Sequence, residues 1–152
     1  MKLKDFDFRI WDNIEKKYVK SPHGLYVENT EHNDASNCNR IIANYEQRAF
    51  YIDYPFNDRN NEYYDNEESL LIELFTGLYD KKGKKVYEND IVKVKSLYDY
   101  FLAKISIHKE GTFYFEGKNG DYIGSLIYLV EDEGYTIETI GNIHENPELL
   151  KC

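Results

Sequence analysis

Histidine, cysteine, aspartate and glutamate are the side chains that hold zinc in proteins. This sequence contains all four, but they are not spaced along the chain as zinc ligands are. His23, His32 and Cys38 all lie in the first third of the chain. The interval from His32 to Cys38 matches no zinc-binding pattern, and it falls in a polar stretch that is typical of a loop. We therefore expect no metal site.

Nucleophilic catalysis needs a serine or cysteine beside a base, and phosphate binding needs a glycine-rich loop. The sequence has no Gly-x-Ser-x-Gly motif, and Ser125 follows Gly124 as an isolated pair. The segment 117–120, Gly-Lys-Asn-Gly, lacks the Walker spacing and its serine or threonine. The acidic runs at 67–68 and 131–133 are typical of a solvated face. We predict that the protein is not an enzyme and has no catalytic residue and no cofactor.

Two oppositely charged segments are the most distinctive chemistry in the chain. Residues 53–73 contain seven acidic side chains and Arg59, a net charge of −6. Residues 80–95 contain six lysines and three acidic side chains, a net charge of +3. Four of these lysines cluster at a predicted hairpin tip: Lys81, Lys82, Lys84 and Lys85. The segments could be complementary surfaces that join subunits or meet separate partners, or they could be two unrelated solvated stretches.

Aromatic side chains lie in and beside the acidic segment. They are Tyr51, Tyr54, Phe56, Tyr63 and Tyr64. Tyrosine is enriched at protein interfaces because its ring buries a large area at a low cost in conformational entropy. We predict that these five residues and the four lysines of the hairpin tip contribute to partner binding.

The elements that position these side chains are predicted to be short β-strands. Phe6, Phe8 and Ile10 alternate with polar residues, which is the period-two pattern of a strand with one buried face. Further strands are predicted at 18–19, 25–27, 40–44, 48–54, 78–79, 86–87, 91–94, 101–108, 112–116 and 135–140. Residues 28–39 and 55–66 are predicted loops. Many short strands separated by glycine, asparagine and aspartate turns indicate an all-β protein with little helix, as a barrel or a sandwich.

Turn chemistry adds detail in the second half of the chain. Asp80-Lys81-Lys82-Gly83 suits a type I turn that is closed by a glycine with positive φ, and 88–90 is a second tight turn. The apolar run at 70–75 fits a helix or a strand, and 121–130 is equally open between a strand and a short helix. Asn146-Pro147-Glu148 predicts one closing turn of helix, with 149–150 packed on the core.

Three segments of the chain carry a recognisable pattern. They are Phe8-Arg9-Ile10-Trp11-Asp12, the stretch from Phe75 to Val94, and the stretch from Ile140 to Leu150. Together they resemble the YopX family of bacteriophage and prophage proteins. That family usually has Tyr-Glu-Gly-Asp-Ile-Val where this chain has Tyr-Glu-Asn-Asp-Ile-Val at 87–92. Asparagine tolerates positive φ better than other non-glycine residues, so Asn89 preserves the turn at a small cost.

The resemblance implies an SH3-type β architecture, a phage or prophage source and self-association, and it favours a strand at 71–76. It implies no reaction, cofactor or catalytic residue. We therefore expect residues 67–152 to form a small SH3-like barrel. Residues 1–66 would add strands as an N-terminal lobe with long polar loops.

Composition sets the remaining expectations. The 152 residues carry a net charge of −9, which disfavours non-specific binding to nucleic acid or anionic membrane. Cys38 and Cys152 form no disulfide framework, and the N-terminus breaks into charges where a secretory signal needs apolar residues. The run at 123–130 is far shorter than the roughly 20 residues that cross a bilayer. We expect a soluble protein in the cytoplasm of the host cell.

Our leading functional hypothesis is a non-enzymatic interaction module that binds a host or phage protein and forms a homo-oligomer. One alternative is an acidic decoy, in which the charges of 53–73 occupy the nucleic-acid groove of a host defence protein. A second alternative is nucleic-acid binding through the lysine-rich hairpin 80–87, where Tyr79 and Tyr87 flank the charges.

Overall fold

The structure is a computed structural model that describes residues 2–19, 24–30, 38–45, 48–53 and 70–151. Within these ranges the strands are β1 Phe8–Asp12, β2 Lys17–Tyr18, β3 Gly24–Thr30, β4 Cys38–Tyr45, β5 Arg48–Asp53, β6 Leu70–Tyr79, β7 Lys85–Tyr87, β8 Asp90–Lys95, β9 Tyr100–Ile107, β10 Phe113–Glu116, β11 Tyr122–Ser125 and β12 Thr136–Asn142. The helical elements there are 3-10 turns at Leu3–Asp5 and Pro147–Leu150 and a π-helix at Tyr128–Asp132, which two α-helical residues, 126–127, precede. The all-β prediction is confirmed.

The chain divides into two compact units. One comprises Met1–Arg9 with Glu73–Cys152, and the other comprises Ile10–Ile72. The predicted boundary between 66 and 67 lies outside the described residues. The first unit, called the main unit below, therefore takes its residues from both ends of the chain.

An antiparallel sheet with the strand order β11-β10-β9-β8-β12 forms most of the main unit. Alternate residues of β8 and β9 face its core, which is why Val92, Val94, Ala103 and Ile105 have no exposed surface. Phe115 of β10 completes this apolar layer. The period-two pattern of the sequence thus gives these strands one continuous buried face, and Ile91 and Ser106 on the opposite face are buried as well.

The hairpin of β6 and β7 belongs to the main unit from Glu73 onward. Its turn is closed by Gly83 N, which donates to Asp80 O at 2.9 Å, while Gly83 adopts a φ of +83°. Asp80 is buried, and its carboxylate accepts hydrogen bonds from Lys82 N and Lys84 N, both at 2.9 Å. The predicted glycine-closed turn is confirmed.

The second unit contains the rest of β1, which pairs with β2 through Trp11 and Tyr18, and the sheet β3-β4-β5. The predicted loop 28–39 is wrong at both of its ends. β3 extends to Thr30 and β4 begins at Cys38, because their backbones pair in register as far as Thr30 and Cys38. The predicted loop 55–66 lies outside the described residues.

The two ambiguous segments resolve differently. The run at 70–75 lies in β6, so the prediction of a strand is confirmed. The segment 121–130 contains both alternatives, with β11 first and the π-helix Tyr128–Asp132 after it. The closing helical turn is present at Pro147–Leu150, and Leu149 and Leu150 are half-buried.

In the part of the chain that the structure describes, no helix combines the length and the hydrophobicity needed to span a membrane. Within the same ranges, no three metal-ligating side chains of histidine, cysteine, aspartate or glutamate come together.

Candidate functional site

Glu73 of β6 is the centre of a buried polar cluster in the main unit. Its side chain has no exposed surface. Its Oε1 accepts a hydrogen bond from Arg9 Nε at 2.7 Å. Its Oε2 accepts one from Asn89 Nδ2 at 2.7 Å and lies 2.8 Å from His144 Nε2. A carboxylate in this position is stabilised because charged and polar donors replace the water it has lost.

Arg9 joins a second buried carboxylate to the cluster. Its Nη2 donates to Asp90 Oδ1 at 2.9 Å and to Glu88 O at 3.2 Å. The guanidinium also lies over the Tyr87 ring, 4.8 Å from its centroid. A guanidinium carries several N–H donors in one plane, so Arg9 can donate to Glu73 and Asp90 at the same time.

Asn89 is held in place by the turn between β7 and β8. Its φ of +69° puts it in the left-handed region, as the sequence predicted. Its N donates to Ile105 O at 2.8 Å, and its carbonyl accepts a bond from Ile143 N at 3.1 Å. The side chain is thereby aimed at Glu73, so Asn89 has a second role that the turn argument alone does not give.

His144 is positioned by a turn that follows β12. The Asn142 side-chain oxygen accepts bonds from His144 N at 3.0 Å and Glu145 N at 2.9 Å. The end of β12 also needs a glycine, because a Cβ at Gly141 would lie 2.6 Å from Asn146 Oδ1. Asn146 does not cap the closing helix with its side chain, which accepts a bond from Asn142 N at 3.3 Å instead.

The two carboxylates of the cluster respond differently to burial. Burial alone would raise the pKa of Glu73, but His144, Arg9 and Asn89 together hold it below its usual value. Burial raises the pKa of Asp90 above its usual value, and the attraction of Arg9 does not fully offset it. The difference arises because Glu73 has His144 and Asn89 as partners in addition to the guanidinium.

A second polar group lies at the start of β1. Asp7 Oδ2 accepts a bond from the Tyr87 hydroxyl at 2.5 Å and pairs with Lys85 Nζ at 3.0 Å. Burial and then the bond to Asp7 raise the pKa of Tyr87, so its hydroxyl stays protonated. Asp7 O also accepts a bond from Phe75 N at 3.0 Å, which attaches the N-terminal residues to β6.

This arrangement can hold separate segments together, because the first residues of the chain, β6, the β7–β8 turn and the segment after β12 all contribute to it. Arg9, Asn89, Asp90 and His144 come from the three sequence segments that carry the family pattern. Glu73 itself was expected to belong to the acidic segment 53–73, and the structure buries it instead. The periodicity of the sequence cannot predict the contact between Arg9 and Glu73, since these residues are 64 positions apart.

Three of the four lysines predicted to bind a partner pair with acidic side chains within the chain. Lys81 and Lys82 both pair with Glu138, at 2.8 and 3.2 Å. Lys85 pairs with Asp7, and Lys84 is exposed. The predicted aromatic partners cannot be placed in the same way. Tyr54, Phe56, Tyr63 and Tyr64 lie outside the described residues, and of Tyr51 only the backbone, in β5, is described.

The most exposed apolar side chains of the described residues lie at the tip of the β8–β9 hairpin. Leu97 is 91% exposed and Tyr98 is 94% exposed. Their turn is ordered by Ser96, whose N donates to Asp99 O at 2.9 Å and whose Oγ accepts a bond from Asp99 N at 3.2 Å. Leucine and tyrosine are unusual at the centre of a tight turn, where glycine, asparagine and aspartate prevail. That composition was available in the sequence as a signal of this surface.

A cleft of about 480 Å³ lies directly beside this tip. One wall is formed by residues 95–98 and the other by residues 133–136. Both walls are anchored to the same sheet, because Lys95 of β8 is paired with Thr136 of β12. We call the projecting turn and this recess together the tip–cleft surface.

Comparison with known proteins gives a matching family and similar solved structures. The family described as YopX protein matches residues 7–151 of the chain. The crystal structure of protein EF1440 from Enterococcus faecalis is 25% identical, with a TM-score of 0.50, and the match covers 96% of this chain and 98% of that one. Protein yopX from Bacillus subtilis, whose crystal structure is known, has 20% sequence identity to this chain. The two structures match with a TM-score of 0.52, and the match covers 95% of this chain and 97% of that one. Among curated proteins, the comparison found no match.

Proposed function

The chain belongs to the YopX family, and from this premise we propose that it is a non-enzymatic interaction protein, encoded by a phage or prophage, that acts in the host cytoplasm. The SH3-type barrel and the self-association that the family resemblance implies are part of this proposal. The protein would work through contacts with other macromolecules, itself included.

The observation that carries the proposal is the tip–cleft surface. Leu97 and Tyr98 contribute little to the stability of the fold, because more than 90% of each side chain is exposed to solvent. The backbone of the turn is nevertheless fixed by Ser96 and Asp99, so the positions from which both side chains project are defined. Preorganised apolar groups of this kind favour binding, because little conformational entropy is lost on association.

The polar cluster around Glu73 supports a structural role for the charged residues of the main unit. Its carboxylate is fully buried and engaged by three donors, so a substrate would have to displace them to reach it. This favours the interaction role over a reaction at that position.

Affinity purification from infected or lysogenic cells tests the proposal. A tagged protein should recover a stoichiometric partner, and the variant Leu97→Ser/Tyr98→Ser should recover at least about tenfold less of it. The matched control is Tyr122→Ser/Ile123→Ser, which removes exposed apolar groups from β11 and should keep the partner. Recovery of no stoichiometric partner, the protein itself included, would contradict the proposal.

Nucleic-acid binding through the hairpin 80–87 is less well supported. Three of its four lysines have carboxylate partners, Glu138 and Asp7, which reduce the positive field available to phosphate groups. The acidic decoy stays a prediction, because most of the segment 53–73 lies outside the described residues.

A further inference from the structure

The cleft of the tip–cleft surface has the volume of a ligand pocket and fixed walls. Its volume of about 480 Å³ lies within the range of roughly 300–1,000 Å³ that is typical of ligand pockets. Backbone bonds hold both walls: Ser96 N donates to Asp99 O at 2.9 Å, and Tyr135 N donates to Leu129 O at 2.9 Å. A recess with ordered walls favours binding, because little conformational entropy is lost on association.

Carboxylates outnumber cations around the cleft. Residues 95–99 and 131–136, which form its walls and the positions next to them, contain four acidic side chains and one lysine, a net charge of −3. The acidic side chains, all of them exposed, are Asp99, Glu131, Asp132 and Glu133. Within the described residues, none of these four forms an ion pair. Their charge is therefore available to an incoming group, and it favours a cationic one.

Two tyrosines make the cleft suited to an arginine or lysine side chain in particular. Tyr98 lies on one wall and Tyr135 on the other. Tyr98 is 94% exposed, while Tyr135 is half-buried and packs against the apolar core. A guanidinium or ammonium group is attracted to the face of a tyrosine ring, and a guanidinium can also stack on it. Glu133 lies on the wall of Tyr135, and its carboxylate accepts a single bond at 2.8 Å, from the Tyr128 hydroxyl, which leaves lone pairs for a further donor.

We propose that the cleft receives a basic segment of a partner protein, with an arginine side chain against Tyr98 and Glu133 and an apolar side chain beside Leu97. The inference rests on the proposed function and names the chemistry of the partner at the same surface. Lys95 is the one cation on the two walls and opposes such a segment, so removing its charge should strengthen binding. Nucleic acid does not fit the cleft, because its phosphates would meet a net negative charge.

Titration of the full chain with synthetic peptides, followed by the NMR signals of its backbone amides, tests the inference. The probe is the peptide Gly-Arg-Leu-Arg-Gly, blocked at both ends, and its matched control is Gly-Glu-Leu-Glu-Gly. The basic peptide should shift the amide signals of 95–98 and 133–136 in a saturable manner at up to millimolar concentration, and the acidic peptide should not. No shift on these walls, or equal shifts with both peptides, would overturn the inference. Spermidine that binds as tightly as the basic peptide would also overturn it, because the cleft would then recognise charge without a peptide chain.

Neutralising the two charges that line the cleft gives a sharper test, because the inference predicts effects of opposite sign. Glu133→Gln should weaken binding of the basic peptide about threefold, and Lys95→Gln should strengthen it about threefold, which is the scale of one exposed charge pair. The matched controls Glu110→Gln and Lys109→Gln make the same changes beyond the opposite end of β9 and should leave the affinity unchanged. All four side chains are exposed, so the fold should be retained. Effects of the same sign at the two cleft positions, or no effect at either, would overturn the inference.

The two proposals can fail separately. If the basic peptide does not bind but the protein still recovers a partner in a manner that depends on Leu97 and Tyr98, the basic segment is wrong and the interaction function stands. If the peptide does not bind and no partner is recovered, both are wrong.

Discussion

At the scale of single residues, Glu73 is the carboxylate at the centre of the buried polar cluster of the main unit. It is fully buried and accepts bonds from Arg9 and Asn89, while His144 lies within bonding distance. Removing one partner from a buried ion pair is costly, because the remaining charge is left without compensation in a poorly solvated site.

We predict that Glu73→Gln lowers the free energy of unfolding by about 3 kcal/mol, because Arg9 and His144 would face a neutral amide. Urea unfolding followed by circular dichroism would measure the change. The matched control is Glu110→Gln, the same substitution on an exposed turn, which should alter stability by less than about 0.5 kcal/mol. Equal effects of the two substitutions would contradict a stabilising role for the cluster.

The lowered pKa of Glu73 predicts that the stability of the protein depends on pH. The pKa of Glu73 in the folded protein is held below its ordinary value of 4.5, so folding favours its ionised form. Its contribution to stability is therefore complete above pH 4.5 and is lost as the pH falls through the lowered pKa. The stability difference between the unmodified protein and Glu73→Gln should accordingly shrink below about pH 4.5. Urea titrations between neutral and acidic pH would check this, and a constant difference would count against it.

At the scale of elements, the turn between β7 and β8 combines two requirements in Asn89. Its φ of +69° favours glycine, and its side chain donates to Glu73 at 2.7 Å, which glycine cannot do. The resemblance to sequences with glycine at this position accounts for the first requirement only.

We predict that Asn89→Ala destabilises the protein more than Asn89→Gly. The alanine variant loses the hydrogen bond to Glu73. In addition, a left-handed backbone conformation costs alanine about 1–2 kcal/mol. Glycine loses the bond but relaxes the backbone, so the two variants should differ by about 1 kcal/mol. Thermal unfolding of both would measure the difference, and the reverse order would show that the backbone conformation is not limiting.

Local elements of this fold were predictable because their causes are local. The turn at 80–83 follows from Asp80 and Gly83, and the alternation in β8 and β9 follows from one buried sheet face. The cluster at Glu73 was not predictable, because the contacts of Arg9 with Glu73 and Asp90 and of Glu73 with His144 join residues 64 to 81 positions apart, and no short-range pattern marks them. Likewise, Arg9 was assigned to the polar side of a strand, and the structure shows that this side holds buried ion pairs.

At the scale of the whole molecule, the main unit is interrupted by the second one. The chain leaves the main unit at Arg9 and re-enters it at Glu73, and the side chains of these two residues are 2.7 Å apart. Insertions are tolerated where the two ends lie close together, since the host unit keeps its own core. The apolar core cluster from Val86 to Ile137 lies entirely within the main unit.

We predict that replacing residues 10–72 by a short glycine- and asparagine-containing turn leaves a folded main unit. Circular dichroism and cooperative urea unfolding would establish this. A matched control also removes residues 1–9 and so lacks Arg9, and it should unfold at a lower urea concentration. If the shortened chain with residues 1–9 failed to fold, the independence of the main unit would be refuted.

The long separations within the Glu73 cluster also bear on the time course of folding. Arg9 and Asp90 are 81 residues apart, and Glu73 and His144 are 71 apart. Because contacts between such distant segments require large loops to close, we expect them to form after the hairpins and to contribute little to the transition state. Interactions that are absent from the transition state act mainly on the unfolding rate. We therefore expect the cluster to affect how long the native state survives rather than how quickly it is reached: Glu73→Gln should raise the unfolding rate by more than it lowers the refolding rate, and stopped-flow unfolding and refolding in urea would measure both.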